Sequence, residues 1–325
     1  MPEILYQEFP NQRRFGVELE VSNNISKQEI GVIINEYEFF YSLNRKNVRV
    51  TAGPEGWAQT RDNDYWHVKF DRTCGPLGKK IDHGWEIASY IGSNIEDVNH
   101  ISRLARFLKN AGAEVNLNCA LHVHVEVKDF NEHKMGILLS MWLKIENFLL
   151  MACHPSRFNN QYCMPIRRKL GRCSNWYDPE CPEQVWKNLR PCNLNIHNNH
   201  DKRETLNTVG FATATCNPFF TRNTVELRLP ECMLDEFHVK NWIRLIVNFV
   251  ECSNKKMSAP KDLKPAKNIK EALNYLGLSG EEEFLILCPD LVSTKAWFLR
   301  KIIKNSQSKK IINQSEKHLD LIYSA

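Results

Sequence analysis

Three short stretches, Phe15–Val21, Leu121–Val127 and Thr224–Pro230, alternate apolar side chains with charged or imidazole ones. Side chains alternate across a strand, so this period of two commits each stretch to a sheet with one greasy face and one polar face. Glu18 and Glu20 then share a face, with Val17, Leu19 and Val21 on the other. His122, His124 and Glu126 line up against Leu121, Val123 and Val125, and Glu226 and Arg228 against Val225, Leu227 and Leu229. A solvated sheet face would mix Lys, Thr, Ser and Gln. Concentrating carboxylate, imidazole and guanidinium instead reads as a single site.

The remaining pattern places helices around these strands. Ser26–Phe40 has apolar residues Ile30, Ile33, Ile34 and Tyr37 at helical spacing. Trp66–Asp71 and Gly84–Tyr90 read as paired strands. From Ile95 a helix with Ile101, Leu104, Ala105 and Leu108 on one face runs to a capping Gly112. Met135–Cys153 is the most apolar segment, and Lys144 and Glu146 within it favour a buried core helix over a membrane span. Ser156–Phe219 is long and polar, the pattern of a lid or of a connection with short elements of its own. Phe237–Cys252 is again helical, and Pro260 and Pro265 mark a seam before a Lys-rich helical tail. The domain division expected is a catalytic part over 1–255, with the polar insertion at 156–220, and a basic helical extension over 256–325 packed on the same domain.

Of 325 residues, 42% are hydrophobic and 25% charged, which is globular composition, and the net charge of +5 is too mild for a nucleic-acid binder. Met1–Pro10 has neither a basic start nor an apolar run, so a cytoplasmic protein is expected. The 11 cysteines are read as reduced thiols. Cys163, Cys173, Cys181 and Cys192 fall in one loop-like stretch, but their spacing is wider than in the usual zinc modules.

Each polar pair has a plain reading and a chemical one. Two carboxylates at Glu18 and Glu20 sit about 7 Å apart along a strand and repel unless a cation lies near; otherwise they are two acids on a solvated edge. His122 and His124 offer metal ligands or phosphate donors from a rigid strand, or are satisfied core histidines. Glu226 and Arg228, with Arg222 nearby, are a surface ion pair or a metal ligand beside guanidinium groups that hold a phosphoryl group. Asp71 and Glu86 add acids near strand ends, with Gly84 permitting close backbone approach. Together these residues match two or three Mg²⁺ ions and a nucleoside triphosphate.

The motifs resemble those of the amidoligases, within the larger group that shares the glutamine synthetase and glutamate-cysteine ligase fold. The resemblance rests on Arg14–Glu20, on Asp71 followed by Gly84–Ser89, on Gly112–Asn116 leading into Cys119–His124, on Ser156–Cys163, on Thr224–Arg228 and on Trp242–Ile243. It implies an α+β fold in which a curved, mainly antiparallel sheet carries helices on its outer face, like a glutamine synthetase catalytic domain. It also implies an ATP-dependent, ADP-forming ligase that joins a carboxylate to an amine through an acyl phosphate, using Mg²⁺ or Mn²⁺, on an amino acid or peptide. Glu18, Glu20, Glu86, His122 and Glu226 would hold the metals, and His124, Arg228 and Arg222 the nucleotide phosphates. Arg228, Arg222 and Glu226 would act in catalysis, and Asp71, Arg157 and Arg168 would meet the substrate. Ala120, Tyr90 and the segment Leu229–Asp235 depart from the family pattern on the substrate side. Two rivals stand beside this reading: a non-catalytic nucleotide-binding protein on a decayed ligase scaffold, and a zinc hydrolase using the histidine pair.

Overall fold

The computed structural model describes residues 13–22, 24–41, 47–50, 65–74, 84–158, 160–170, 177–191, 203–216, 223–279 and 289–324. Its architecture is α+β, and its described residues fall into two compact units, one within 13–124 and 230–243, the other within 125–229 and 244–324.

In the first unit, β1 (Phe15–Val21), β2 (Asn47–Val50), β3 (Tyr65–Asp71), β4 (Gly84–Ala88) and β5 (Leu121–Glu126, of which residues 121–124 belong to this unit) lie in the order β2-β3-β4-β1-β5. β4 is antiparallel to both neighbours, pairing Glu20 with Glu86 on one side and Lys69 with Glu86 on the other. β2 runs parallel to β3, within a sheet expected to be mainly, not wholly, antiparallel. The alternation read from sequence is what folds: Phe15, Val17, Leu19 and Val21 are buried, as are Leu121, Val123 and Val125.

Two helices complete the core of this unit. α1 (Lys27–Tyr41) packs on β2, β3 and α2 (Ile95–Asn110), burying Ile30, Ile34 and Tyr37. Asn94 caps α2 by accepting from the Asp97 amide at 2.9 Å, with Glu96 and Asp97 in the favoured first turn. At its far end Gly112 takes φ 94°, the left-handed conformation that closes a helix, and the Ala113 amide returns to Leu108 O at 3.0 Å.

In the second unit the longest helix, α3 (Glu132–Ala152), is apolar and long enough to cross a membrane, yet most of it is buried inside the protein, as the core-helix reading expects. Asn131 caps it through the Lys134 amide. The described parts of the long polar section, read from the sequence as a lid or insertion, hold short elements: 3-10 turns at Pro155–Arg157 and Ile166–Leu170, helices α4 (Glu183–Leu189) and α5 (Val209–Cys216), and β6 (Leu206–Asn207). β6 pairs antiparallel with β7 (Thr224–Leu227), setting Asn207 opposite Glu226. The strand expected over Thr224–Pro230 stops at Leu227. The Arg228 amide bonds to Thr205 O instead, the Arg228 and Leu229 carbonyls are taken by Arg157, and Pro230 has no N–H to continue a ladder.

After α6 (Glu236–Lys255), the Pro260–Pro265 seam is sewn to α3: the Ala266 amide donates to Lys144 O at 2.8 Å, and buried Lys144 pairs with Asp262 at 2.8 Å and Glu271 at 3.4 Å. The tail then forms α7 (Ile269–Tyr275), α8 (Pro289–Asn305) and α9 (Lys309–Ser324). Asn305 closes the C-terminal end of α3, donating to Cys153 O at 2.9 Å.

Candidate functional site

Within the first unit, strands β1, β4 and β5 bring the acids and histidines together. Glu18 is the centre. One of its oxygens lies 3.1 Å from Nδ1 of His122 and the other 3.2 Å from Nε2 of His124. His122 is nearly fully buried, and its other nitrogen, Nε2, lies 3.6 Å from Oε1 of Glu20. The second Glu20 oxygen accepts the Ala120 amide at 2.6 Å, which fixes the start of the histidine strand to β1. Glu86, paired in register with Glu20, receives Nζ of Lys69 at 2.5 Å.

This packing is electrostatically tense. Burial disfavours the Glu18 anion, but the His124 charge, hydrogen bonds from His122 and His124, and Lys69 outweigh it and hold its carboxyl well below the ordinary glutamate range. Glu86 goes the other way: burial first, then the Glu18 charge, push it up to about 7 against the pull of Lys69. Glu18, Glu20 and Glu86, with the imidazoles of His122 and His124 against Glu18, are the groups of this unit that could hold a divalent cation. The oxygens suit a hard ion, and the imidazole nitrogens widen the choice from Mg²⁺ to Mn²⁺.

Close packing at the strand ends shapes the same region. A side chain at Gly84 would fall 2.3 Å from Cys74 Cβ and 2.4 Å from Val21 O, so the close approach expected there is present. Asp71 accepts from the Thr73 amide and hydroxyl, both at 2.6 Å, which is turn chemistry. Glu20, Asp71 and Cys74 also present ligand atoms within 4.8 Å of one another. A hydrogen bond with Cys119, then burial, raises the Cys74 thiol far above its usual value, so it stands as a protonated thiol.

The second unit holds the remaining described candidates. Arg228 Nη1 donates to Oε1 of Glu226, and the Asn207 amide donates to the other Glu226 oxygen at 2.6 Å. Arg157 is buried, with its guanidinium spanning two backbone carbonyls: Nε to Leu229 O at 2.9 Å and Nη2 to Arg228 O at 2.8 Å. Arg168 is exposed. Arg222, Cys173 and Cys192 lie outside the described residues, whereas Cys163 is buried and Cys181 half-buried.

Sequence reasoning missed two participants. Lys69 stands two residues before Asp71 on β3, and only the register across to Glu86 reveals its part. Asn207 sits in the polar section, on a two-residue strand too short to leave a period.

A model of the family described as "putative amidoligase enzyme" matches residues 11–250, well over half of the chain. No curated protein matches the sequence significantly. The matched stretch contains every candidate site acid, histidine and arginine described above, and with that match the chain belongs to the amidoligases, a family of ligase-type enzymes.

Proposed function

We propose that this protein is an ATP- and divalent-metal-dependent ligase that forms an amide bond between a carboxylate and an amine, on an amino acid or peptide, using a sheet of the glutamine synthetase catalytic type. The observation that carries the reading is Glu18 lying against both histidines, one oxygen 3.1 Å from Nδ1 of His122 and the other 3.2 Å from Nε2 of His124, with Glu20 and Glu86 alongside on β1 and β4. Within this unit Glu18, Glu20, Glu86 and His122 would hold the metal, which when bound would neutralise the phosphates of ATP.

The reaction has two steps. A substrate carboxylate oxygen bonds to the γ-phosphorus as the bond to ADP breaks, giving an acyl phosphate. The amine nitrogen then bonds to the carbonyl carbon, phosphate leaves with the electrons of the broken C–O bond, and the nitrogen sheds a proton. The detour is needed because a bare carboxylate resists amine attack, whereas phosphate leaves readily.

The residues of the chain bind and orient. His124, less buried than His122, is assigned to the phosphates. By their place in the Thr224–Arg228 motif, Glu226 is assigned to the metal set and Arg228 to charge on the moving phosphoryl group, with Arg222, just before the motif, assigned beside it. Arg157 spends its guanidinium on backbone, so Arg168, and Asp71 beyond its turn bonds, are assigned to the substrate.

The test is ADP release with pooled amino acids, peptides and amines in Mg²⁺ or Mn²⁺, repeated on His122→Ala and Glu226→Gln. Wild type is expected to release ADP and both variants to lose release while staying folded. Undiminished release in both variants would refute the assignment. Tightly held zinc with indifference to ATP would replace the ligase by a hydrolase, and ATP binding without release by any substrate pair would make the chain a binding protein.

A further inference from the structure

Lys144 and Glu146, the two charges that interrupt the apolar run of α3, do different work. Lys144 ties the tail to the helix. Glu146 is fully buried, and four donors converge on its carboxylate. They are Trp142 Nε1 at 3.1 Å, the Ile166 amide at 2.8 Å, the Arg167 amide at 3.2 Å and the Thr205 hydroxyl. Trp142 Nε1 also lies 3.2 Å from the Thr205 oxygen.

A leucine would fill the same space without the cost of burying an anion. What a carboxylate adds is direction, because each donor must point at it. Two donors are consecutive amides opening the Ile166–Leu170 turn, and the third outside α3 is Thr205, the residue preceding β6.

From Thr205 the order continues into the Glu226 region. The Thr205 carbonyl accepts the Arg228 amide at 3.0 Å. Two residues further on, Asn207 faces Glu226 in register and donates to its carboxylate, while its own oxygen accepts the Val209 amide at 2.9 Å. Thr205 is fully buried, so this line is shielded from competing water.

We infer that Glu146 is a positioning residue that acts through Thr205 and β6 to hold Glu226 and Arg228 in place for the reaction. This rests on the ligase reading for its kinetic consequence, but its structural half stands apart.

Thr205→Val keeps the shape and removes the donor, Thr205→Ser keeps the donor, and Glu146→Gln keeps the shape and turns an amide toward a donor. In full-length protein, amide hydrogen exchange over residues 203–208 and 224–229 should rise about tenfold in Thr205→Val and Glu146→Gln. Exchange in α3 should be unchanged, and Thr205→Ser should match wild type. With an accepted substrate pair, kcat for ADP release should fall about tenfold in Thr205→Val with KM for ATP within about threefold, and Thr205→Ser should restore it. Unchanged exchange in Thr205→Val overturns the positioning role, as does raised exchange with unchanged kcat. If wild type releases no ADP, the ligase reading fails while the exchange data still decide whether Glu146 orders β6 and β7. Should Glu146→Gln not fold, the Thr205 pair carries the test.

Discussion

Replacing Glu18 by Gln separates stability from metal binding. The carboxylate takes part in two charge-assisted contacts, at 3.1 Å to His122 and 3.2 Å to His124, each worth roughly 1.5–3 kcal/mol. Gln keeps one acceptor oxygen, so about half of that sum is at stake. The loss is further offset because the Glu18 charge helps push the Glu86 carboxyl up, and the variant relieves that repulsion. Metal-free Glu18→Gln should therefore melt within a few degrees of wild type, a net change of about 1–2 kcal/mol. Metal behaves differently. An ion at a hundred times its Kd stabilises wild type by about 2.7 kcal/mol, and the variant, with an uncharged amide in place of the central ligand, should lose nearly all of that. Thermal melting with and without Mn²⁺ reads both quantities. A variant that keeps the full Mn²⁺-induced rise refutes the placing of a cation at Glu18.

Other outcomes follow from the same geometry. Arg157→Met should cost about 1–3 kcal/mol for each carbonyl left unsatisfied at Arg228 and Leu229, seen as a lower urea midpoint; an unchanged midpoint would show that those bonds are replaced. Gly84→Ala forces contacts of 2.3 and 2.4 Å on Cys74 and Val21 and should cost about 1–3 kcal/mol on thermal melting. Asp262 is held below its ordinary value chiefly by the hydrogen bond from Lys144, so it stabilises the fold above the usual aspartate range and ceases to as pH falls through its lowered native value. The melting gap between wild type and Asp262→Asn should thus be present at neutral pH and close in acid; a gap that widens in acid would reverse the sign.

The sheet was legible because burial and charge sort residues with a period of two, and β1 spans the residues its alternation marks. Helix α3 was legible for a related reason: its apolar run is too long for a strand and carries charges that need partners. Which partners they take is a property of register and of segments far apart in the chain. Lys69 meets Glu86 only because β3 and β4 pair as they do, and Glu146 draws three of its four donors from residues 20, 21 and 59 positions away. The early end of β7 was hidden for the same reason. Arg228 and Leu229 keep the alternation, but their backbone is claimed by Thr205 and Arg157, and no local pattern announces that competition.

The family match ends at residue 250, yet the amide of Asn305 is what satisfies the last carbonyls of the longest core helix. A fragment trimmed to the matched stretch would leave Cys153 O without its donor, and would strip Lys144 of both acids that neutralise it. Expression of such a fragment would test a damaged core rather than an isolated catalyst, so any assay of this chain belongs on the intact polypeptide.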